Sequence, residues 1–336
     1  MMSSTTLMPP LLKKMTEYKR QMVSRTTVVY QDNKVKVLKV VGKIDKTKSP
    51  VLMIPAMINK YYILDLSENN SLAKSLSDEG HAVYMIDWGE ADPEDRWQTF
   101  TDVFLKVLKR VVSRVTRDAG EKPVLFGYCM GGAISAIYTS MFQDEIKGLI
   151  GLTVPIDFSK AGVMSKWTNK EHINPYLAVA AMGNMSPEMT QNSFISLKPA
   201  KFLKKWDTAW KKQDDDKFMD SFLILEQWVN ENIPFPGGIW QEYITWLYQD
   251  NLFFKDELYV GNHKASLKNI TCPILTIIAN DDHIVPSESA EPLHNLAGST
   301  NKTIKNFAGG HVGIIASPKL FPQLAETVKN WLEDNK

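Results

Sequence analysis

The stretch that decides the fold reads Val124-Leu125-Phe126-Gly127-Tyr128-Cys129-Met130-Gly131-Gly132. Its three apolar residues at the start predict a buried parallel strand, and the chain from Ala133 onward predicts a helix. Between strand and helix, Gly127-x-Cys129-x-Gly131 is the pattern of a nucleophile elbow, with cysteine where most such turns carry serine. We therefore predict that Cys129 is a nucleophile presented on a strand-to-helix turn.

The glycines and the helix explain why this pattern suits a reactive thiol. A nucleophile elbow holds a strained backbone, so the residues two before and two after the nucleophile must lack side chains that would collide. The unpaired N–H groups and the dipole at the helix N-terminus favour a thiolate and an oxyanion beside Cys129. Taken alone, the pattern also fits a buried structural cysteine in a glycine-rich turn. Whether Cys129 is catalytic or structural therefore depends on whether the sequence also contains a base and an acid at the expected positions.

The bulk composition limits the classes of function. The chain has 336 residues, 44% of them hydrophobic, which suffices for one large domain or a core with an insertion. The net charge of +1, with lysines spread along the chain, gives no electrostatic case for nucleic acid. The two cysteines, Cys129 and Cys272, imply no disulfide framework. We find neither a signal peptide nor an apolar run of about 18–20 residues, and we expect a soluble cytoplasmic protein without a transmembrane segment.

Strand and helix patterns alternate along the chain, except in its third quarter. Six of the nine tryptophans lie between Asp157 and Ala265, where strand patterns vanish and helical and loop patterns dominate. Before this region we expect a helix over Leu11 to Met22, a β-hairpin from Thr26 to Val41 and a helix over Asn70 to Glu79. The predicted division is an N-terminal helix or tail (1–25), a first part of the core (26–155), an inserted cap (156–268) and a second part of the core (269–336).

This rhythm predicts a fold class. Alternating strands and helices indicate a mostly parallel sheet with helices on both faces, and a nucleophile elbow in its middle is typical of the α/β-hydrolase fold. The helical region after Pro155 then becomes a cap inserted over the carboxyl ends of the strands. We expect an α/β-hydrolase fold with an inserted helical cap.

A cysteine nucleophile needs a base, and the base needs an acceptor that orients it. In this fold the acid follows a late strand, and the histidine lies in a loop before the last helix. The late strand 274–279 runs into Asn280-Asp281-Asp282-His283, and the later loop contains Gly309-Gly310-His311. We predict Cys129, His311 and Asp282 as a catalytic triad, with Asp281 as the alternative acid and His283 as a residue supporting the acid.

The oxyanion hole is predicted from the same fold. One donor is the backbone N–H of Met130, directly after the nucleophile. The second should come from the loop after the strand 51–54, with Met57 as the first choice and Ile58 as the next. We expect no metal ligand set, because acyl transfer by this arrangement calls for none.

Several stretches resemble the polyhydroxyalkanoate (PHA) synthases. The similarity extends beyond the elbow, from about residue 25 to the C-terminus. The similar stretches are Ile58 to Leu66, Gly80 to Trp88, Gly183-Asn184-Met185, Tyr243 to Asn251, Asp282 to Pro286 and Gly309 to Gly313. The given sequence resembles the short catalytic subunits of the two-subunit types, class III or class IV, and we therefore expect a protein without the long N-terminal domain of the one-subunit synthases.

The resemblance implies a substrate and partners. It implies polymerisation of (R)-3-hydroxyacyl-CoA through a thioester on the cysteine, with release of CoA. The expected substrate is 3-hydroxybutyryl-CoA. It further implies a helical companion subunit of PhaE or PhaR type, a homodimer of catalytic subunits, and a place at PHA granules in the cytoplasm. The CoA thioester is then the substrate, and no cofactor is expected.

Two other interpretations fit parts of the sequence. A thioesterase or an intracellular PHA depolymerase would use the same elbow and the same three residues, since the same base activates either water or a hydroxyl group for attack on the acyl-enzyme. An inactive granule-associated scaffold would keep the fold, but it would have no need for Cys129, Asp282 and His311 together. Product analysis separates these alternatives.

Overall fold

The sheet is the frame of the molecule. The computed structural model describes residues 10–336. Over these residues the strands are β1 (Thr26–Asp32), β2 (Val35–Val40), β3 (Val51–Ile54), β4 (Asp65–Ser67), β5 (Asn70–Ser71), β6 (Val83–Asp87), β7 (Val124–Tyr128), β8 (Gly148–Leu152), β9 (Leu258–Val260), β10 (His263–Ala265), β11 (Ile274–Ala279) and β12 (Lys302–Phe307). Eight of them form one sheet in the order β1-β2-β6-β3-β7-β8-β11-β12. From β6 to β12 all neighbours are parallel, whereas β1–β2 and β2–β6 are antiparallel.

Helices follow most of the strands. They are α1 (Pro10–Glu17), α2 (Leu72–Asp78), α3 (Phe100–Asp102), α4 (Lys109–Ala119), α5 (Met130–Phe142), α6 (Gly162–Trp167), α7 (Pro175–Met182), α8 (Pro187–Leu197), α9 (Pro199–Lys211), α10 (Asp216–Asn230), α11 (Gly237–Glu242), α12 (Ser287–Ala290), α13 (Pro292–Leu296), α14 (Gly313–Ala316) and α15 (Phe321–Asp334). Two π-helical segments, Val103–Leu108 and Tyr243–Gln249, continue α3 into α4 and extend α11.

The sheet separates two hydrophobic cores. Alternate residues of a strand point to opposite faces, so Leu52 and Ile54 pack into one core and Met53 packs into the other. Helices α4 and α5 cover the first face, and α2 and α15 cover the second. Because both faces are buried, the central strands are apolar without alternation, which is why short apolar runs predicted them correctly. The predicted fold class, an α/β-hydrolase fold with helices on both faces, is confirmed.

The chain leaves the sheet after β8 and returns to it at β11. In between it forms α6 to α11, which are the helices of the cap, and the hairpin of β9 and β10. The prediction that strands are absent between residues 157 and 265 was therefore wrong at this hairpin. Its strands are only three residues each, and Leu258-Tyr259-Val260 is apolar throughout, so the sequence shows no alternation of apolar and polar residues there. The exact bounds of the predicted cap and core parts stay predictions.

The N-terminal segment corrects a second expectation. The predicted helix over Leu11 to Met22 ends at Glu17, and the first nine residues lie outside the described part of the chain. After α1 the backbone N–H of Arg20 donates to Gln227 Oε1 at 3.0 Å, and the Ser24 N–H donates to Asp65 Oδ2 at 3.1 Å. These bonds to the cap and to the core replace the helical hydrogen bonds. The helix expected at Asn70 likewise begins at Leu72, because Asn70–Ser71 pairs with β4 and Ser71 then caps the helix.

The structure also bears on the membrane question. Over residues 10–336, no helix is both long enough and apolar enough to cross a bilayer.

Candidate active site

Cys129 occupies a strained turn between β7 and α5. Its backbone has φ 54° and ψ −125°, a conformation that residues with a side chain rarely adopt. A Cβ on Gly131 would lie 2.0 Å from the Ile54 carbonyl oxygen, and one on Gly127 would lie 2.4 Å from the Gly132 Cα. The turn closes this tightly only because both positions are glycine. The glycines on either side of Cys129 therefore meet the steric need expected of a nucleophile elbow.

Neighbouring elements fix the cysteine in place. The Cys129 N–H donates to the Leu152 carbonyl of β8 at 3.0 Å, and the Cys129 carbonyl accepts from the Gly132 N–H at 2.9 Å. Met130 is the first residue of α5, so its N–H has no acceptor within the helix and is free for a ligand. The half-buried Cys129 thus stands at the positive end of a buried helix, where an anion is stabilised.

Asp282 and His311 meet in the loops after β11 and β12. His311 Nδ1 and Asp282 Oδ2 are 2.6 Å apart, and both side chains are buried. The other carboxylate oxygen of Asp282 accepts from the N–H groups of Ile284 at 2.8 Å and Val285 at 2.9 Å. Asp281, the alternative acid, is exposed and accepts from the Gly309 N–H at 3.2 Å. Of the two aspartates, Asp282 is the one beside the histidine.

The His311 ring is positioned and charged by its surroundings. It stacks on Tyr128 with ring centroids 5.3 Å apart, and the Tyr128 hydroxyl donates to the His311 carbonyl at 3.3 Å. Burial by itself lowers the pKa of His311, but the negative charge of a Cys129 thiolate and of Asp282, which is hydrogen-bonded to Nδ1, raises it above its ordinary range. A proton therefore rests readily on His311 when the thiol of Cys129 has lost its own.

His283 is adjacent to Asp282 in sequence, but it is not hydrogen-bonded to the Asp282–His311 pair. Burial first, and then the charges of Lys198 and Lys201, lower the pKa of His283 to about 4, so the ring is neutral near pH 7. Its Nδ1 is buried and has no hydrogen-bond partner among the described residues. Its role beside Asp282 stays a prediction.

Two cavities meet at Cys129. The first, which we call the histidine cavity, also holds His311, Asn59, Gln191 and Asn232. The second, which we call the aromatic cavity, is bounded by Met130 and by side chains of the cap, among them Trp167, Phe194, Trp240, Tyr243 and Tyr248. Ile58 and Phe194 belong to the walls of both. An acyl thioester bound at Cys129 can therefore direct its two arms into different surroundings.

The loop after β3 contributes to these walls unevenly. Ile58 lines both cavities, whereas the Met57 side chain is buried in the core and lines neither. A backbone donor is not excluded by where its side chain points, so Met57 and Ile58 both stay candidates for the second oxyanion donor. Over residues 10–336, no group of three or more His, Cys, Asp or Glu side chains is arranged to hold a metal ion.

Sequence reasoning missed the three amide side chains of the histidine cavity. Asn232 lies 173 positions after Asn59 and 41 after Gln191, on a segment with no motif around it. Asn59 alone had a signal, since it lies inside one of the stretches that resembled a known family. Nothing in the local pattern links the three.

Solved structures with the same architecture include two lipases. A soluble variant of monoglyceride lipase from Saccharomyces cerevisiae, in complex with a substrate analogue, superposes with a TM-score of 0.59 at 16% identity, over 95% of this chain and 98% of that one. A monoacylglycerol lipase from Paleococcus ferrophilus gives a TM-score of 0.53 at 17% identity, over 90% and 99%. At such identities the likeness concerns the fold alone.

Sequence comparisons relate the chain to a more specific group of proteins than the shared fold does. A family model described as alpha/beta hydrolase fold matches residues 49–318, and one described as poly-beta-hydroxybutyrate polymerase (PhaC) N-terminus matches residues 17–76. The poly(3-hydroxyalkanoate) polymerase subunit PhaC of Allochromatium vinosum is 33% identical over 288 residues, 85% of this chain and 81% of that protein. The subunit of Synechocystis is 31% identical over 92% of this chain and 84% of its own length. The subunit of Haloferax mediterranei is 29% identical over 91% of this chain.

Fold, elbow and family model together define the class: the chain is an α/β-hydrolase-fold protein. Within that class it belongs to the family of poly(3-hydroxyalkanoate) polymerase subunits PhaC. The chain spans 63% of the length of the Haloferax mediterranei relative and 81% of the Allochromatium vinosum relative. The resemblance noted in the sequence is thereby confirmed at the level of the family.

Proposed function

We propose that this chain polymerises (R)-3-hydroxyacyl-CoA, with 3-hydroxybutyryl-CoA as the substrate to test first, into polyhydroxyalkanoate with release of CoA. One observation carries the proposal: Cys129 on its strained elbow lines the same cavity as a buried His311, which is held by Asp282, in a chain of the PhaC family. Membership of the family supports the class of product, and the arrangement of the three side chains supports the chemistry. The proposal therefore includes an acyltransferase mechanism through a cysteine thioester.

In the first half of the cycle the acyl group moves to the enzyme. His311 takes the thiol proton of Cys129, and the thiolate attacks the thioester carbonyl carbon. The oxyanion of the tetrahedral intermediate is stabilised by the Met130 N–H and by a donor from Met57 or Ile58. The carbon–sulfur bond to CoA then breaks, and His311 returns the proton to the leaving sulfur. One thioester replaces another, so the acyl group stays activated, which an ester on serine would not achieve.

In the second half the chain grows by one ester. His311, oriented by Asp282, accepts the proton of a 3-hydroxyl group as its oxygen attacks the Cys129 thioester carbon. The ester bond forms, the bond to sulfur breaks, and the proton on His311 neutralises the released thiolate. General-base assistance of this kind contributes about 10²–10⁴ in rate. No metal ion or prosthetic group takes part.

The surroundings of the site favour a hydroxyl acceptor over water. The aromatic cavity is lined by tryptophan, tyrosine, phenylalanine and methionine side chains of the cap, which leave few polar partners for water. The cap must open for the substrate and for the growing polymer. We propose that it separates polymerisation from hydrolysis at Cys129.

The proposal extends to partners and location. By analogy with the two-subunit types that the sequence resembles, the chain works with a helical companion subunit of PhaE or PhaR type and pairs with a second copy of itself. The same analogy places it in the cytoplasm at the surface of PHA granules. The assignment is to class III or class IV.

The test uses purified protein and (R)-3-hydroxybutyryl-CoA, with and without a candidate companion subunit, and follows both CoA release and the fate of the acyl group. We expect insoluble polyester with the wild type and none with Cys129→Ala. Free 3-hydroxybutyrate in place of polymer would assign a thioesterase or depolymerase instead. No CoA release under either condition, with Cys129 resistant to iodoacetamide, would favour an inactive granule scaffold.

A further inference from the structure

Three side-chain amides form a row across the histidine cavity, which we call the amide row. The Asn59 Nδ2 group donates to Asn232 Oδ1, and the Asn232 Nδ2 group donates to Gln191 Oε1 at 2.7 Å. The three residues come from the loop after β3, the segment after α10 and helix α8, and all three line the cavity that contains Cys129 and His311. The row therefore joins the core to the cap next to the reacting atoms.

The row ends in groups that are available to a ligand. Each internal bond uses one N–H and one carbonyl, so the row ends in a carbonyl oxygen at Asn59 and an amino group at Gln191. Reversing the amide orientations would exchange these ends but still leave one acceptor and one donor. The amide row thus offers an acceptor on one side and a donor on the other.

The remaining wall points to an uncharged ligand. Apart from the row and His311, the cavity is lined mainly by apolar side chains, including Ile58, Ile63, Phe194, Val229 and Val312. Lys60, at the edge, is paired with Glu90. Polar groups set in an apolar wall are stabilised by a ligand that supplies matching hydrogen bonds. A neutral group with one N–H and one carbonyl, an amide, matches the two ends of the row.

The direction of the reaction assigns this cavity to the leaving group. In the proposed cycle the leaving sulfur takes its proton from His311, so the CoA arm must depart on the side of His311. His311 lines the histidine cavity and does not line the aromatic cavity, where Met130 and the aromatic side chains lie. The acyl part then extends into the aromatic cavity, and the thiol part extends along the amide row.

We propose that the amide row binds the amide groups of the pantetheine arm of the acyl-CoA substrate. The inference rests on the proposed function, because it takes acyl-CoA as the substrate and His311 as the proton donor. A pantetheine N–H donates to the free carbonyl of the row, and a pantetheine carbonyl accepts from its free amino group. The row recognises the carrier of the acyl group and leaves the acyl group itself to the aromatic cavity.

The kinetic test combines a variant with a truncated substrate. Gln191→Met keeps the shape of the side chain and removes the amide, and the thioester of 3-hydroxybutyrate with ethanethiol removes both pantetheine amides. We expect kcat/KM for thiol release from 3-hydroxybutyryl-CoA to fall roughly 2- to 10-fold in the variant, the effect of one hydrogen bond. With the ethanethiol thioester we expect no change. Asn192→Leu, which alters an exposed amide one residue along α8, should change neither rate.

Other results would contradict the proposed role of the amide row in binding pantetheine. Equal losses with both thioesters, or no loss with either, would overturn it. Gln191→Glu, which keeps the acceptor for Asn232 and removes the donor, should repeat the selective loss and guards against misfolding of the first variant. Calorimetry of free pantetheine with Cys129→Ala is an independent test. We expect weaker binding when Gln191→Met is added to this variant, and equal binding would overturn the proposal. If the wild type releases no thiol from any thioester, the proposed function fails, and the calorimetry still tests the row.

Discussion

Two adjacent aspartates in the loop after β11 have different surroundings. Asp282 is buried, accepts two backbone N–H groups and contacts His311, whereas Asp281 is exposed and accepts one N–H from Gly309. A carboxylate that holds the imidazole controls which ring nitrogen carries the proton. The difference between these neighbours provides a matched pair of variants at the residue scale.

We expect Asp282→Asn to lower the rate of CoA release by about 10²–10⁴-fold, because the orienting charge at His311 Nδ1 is lost. Asp281→Asn should change the rate by no more than about twofold, as is usual for an exposed position. Initial rates with 3-hydroxybutyryl-CoA, with folding checked by circular dichroism, measure both. Similar losses in the two variants would contradict the assignment of Asp282.

The elbow glycines allow a prediction about stability. A Cβ at position 131 would overlap the backbone of Ile54 and Pro55, which cannot move without disturbing β3. We expect Gly131→Ala to lower the free energy of unfolding by at least the roughly 1–3 kcal/mol typical of overpacking. Gly313→Ala, where a Cβ would meet nothing within 4 Å, should be nearly neutral. Thermal unfolding of both variants provides the measurement, and equal midpoints would show that the elbow relaxes more easily than its contacts imply.

At the scale of elements, the core was largely predictable and the cap was not. Strands such as β7 and β11 are short apolar runs because both faces of the sheet are buried, and the order of elbow, acid and histidine follows from the fold. The π-helical segment Tyr243–Gln249 differs from an α-helix by hydrogen-bond register, which leaves no trace in composition. The end of α1 was missed because its continuation is decided by Asp65 and Gln227, far away in sequence.

Glu242 links the cap to a helix of the core. Its carboxylate accepts from the Phe100 N–H at 2.6 Å, at the N-terminus of α3. Burial is the main cause that raises the pKa of Glu242 to about 7, with Asp102 adding to it, while the Phe100 and Thr101 N–H groups lower it. The folded protein therefore binds this proton more tightly than the unfolded chain does, and ionisation of Glu242 costs stability.

The raised pKa of Glu242 makes the stability of the folded protein depend on pH. The folded pKa lies above the ordinary value of 4.5, so the cost appears as the pH rises from that value and is complete above about 7. Glu242→Gln removes it, and we expect the stability of the variant relative to the wild type to increase as the pH rises through this window. Denaturant unfolding of both proteins at about pH 5 and about pH 8 measures the free energy of unfolding of the variant minus that of the wild type. A difference that stays constant or decreases as the pH rises would contradict the raised pKa of Glu242.

At the scale of the whole molecule, the N-terminal segment connects the cap to the core. Leu11 packs with Ala209, Met219 and Leu223 of the cap. Farther along, Arg20 lies over the Tyr62 ring at 4.1 Å and donates to the Asp65 carbonyl at 2.5 Å. The segment thus couples α9 and α10 to the frame that carries the active site.

We expect Leu11→Asp to loosen α9 and α10, because an aspartate carboxylate cannot be buried in that apolar contact without a large cost. Amide hydrogen exchange should become faster in these two helices and stay unchanged in β7 and β8. Leu12→Asp is the control, since Leu12 is 43% exposed. Exchange that accelerates equally in both variants, or in the sheet, would argue against a local coupling through α1.

The pairing of β8 with β11 has a consequence for the making of the protein. Leu149 pairs with Ile274, so the ribosome must add the whole cap before the edge of β8 finds its neighbour. At about 5–20 residues per second, the nascent chain carries that open apolar edge for roughly 6–25 s. Translation of the cap therefore delays the pairing of β8 with β11. Until β11 emerges, the nascent chain must be kept from pairing its exposed β8 edge with strands of other chains.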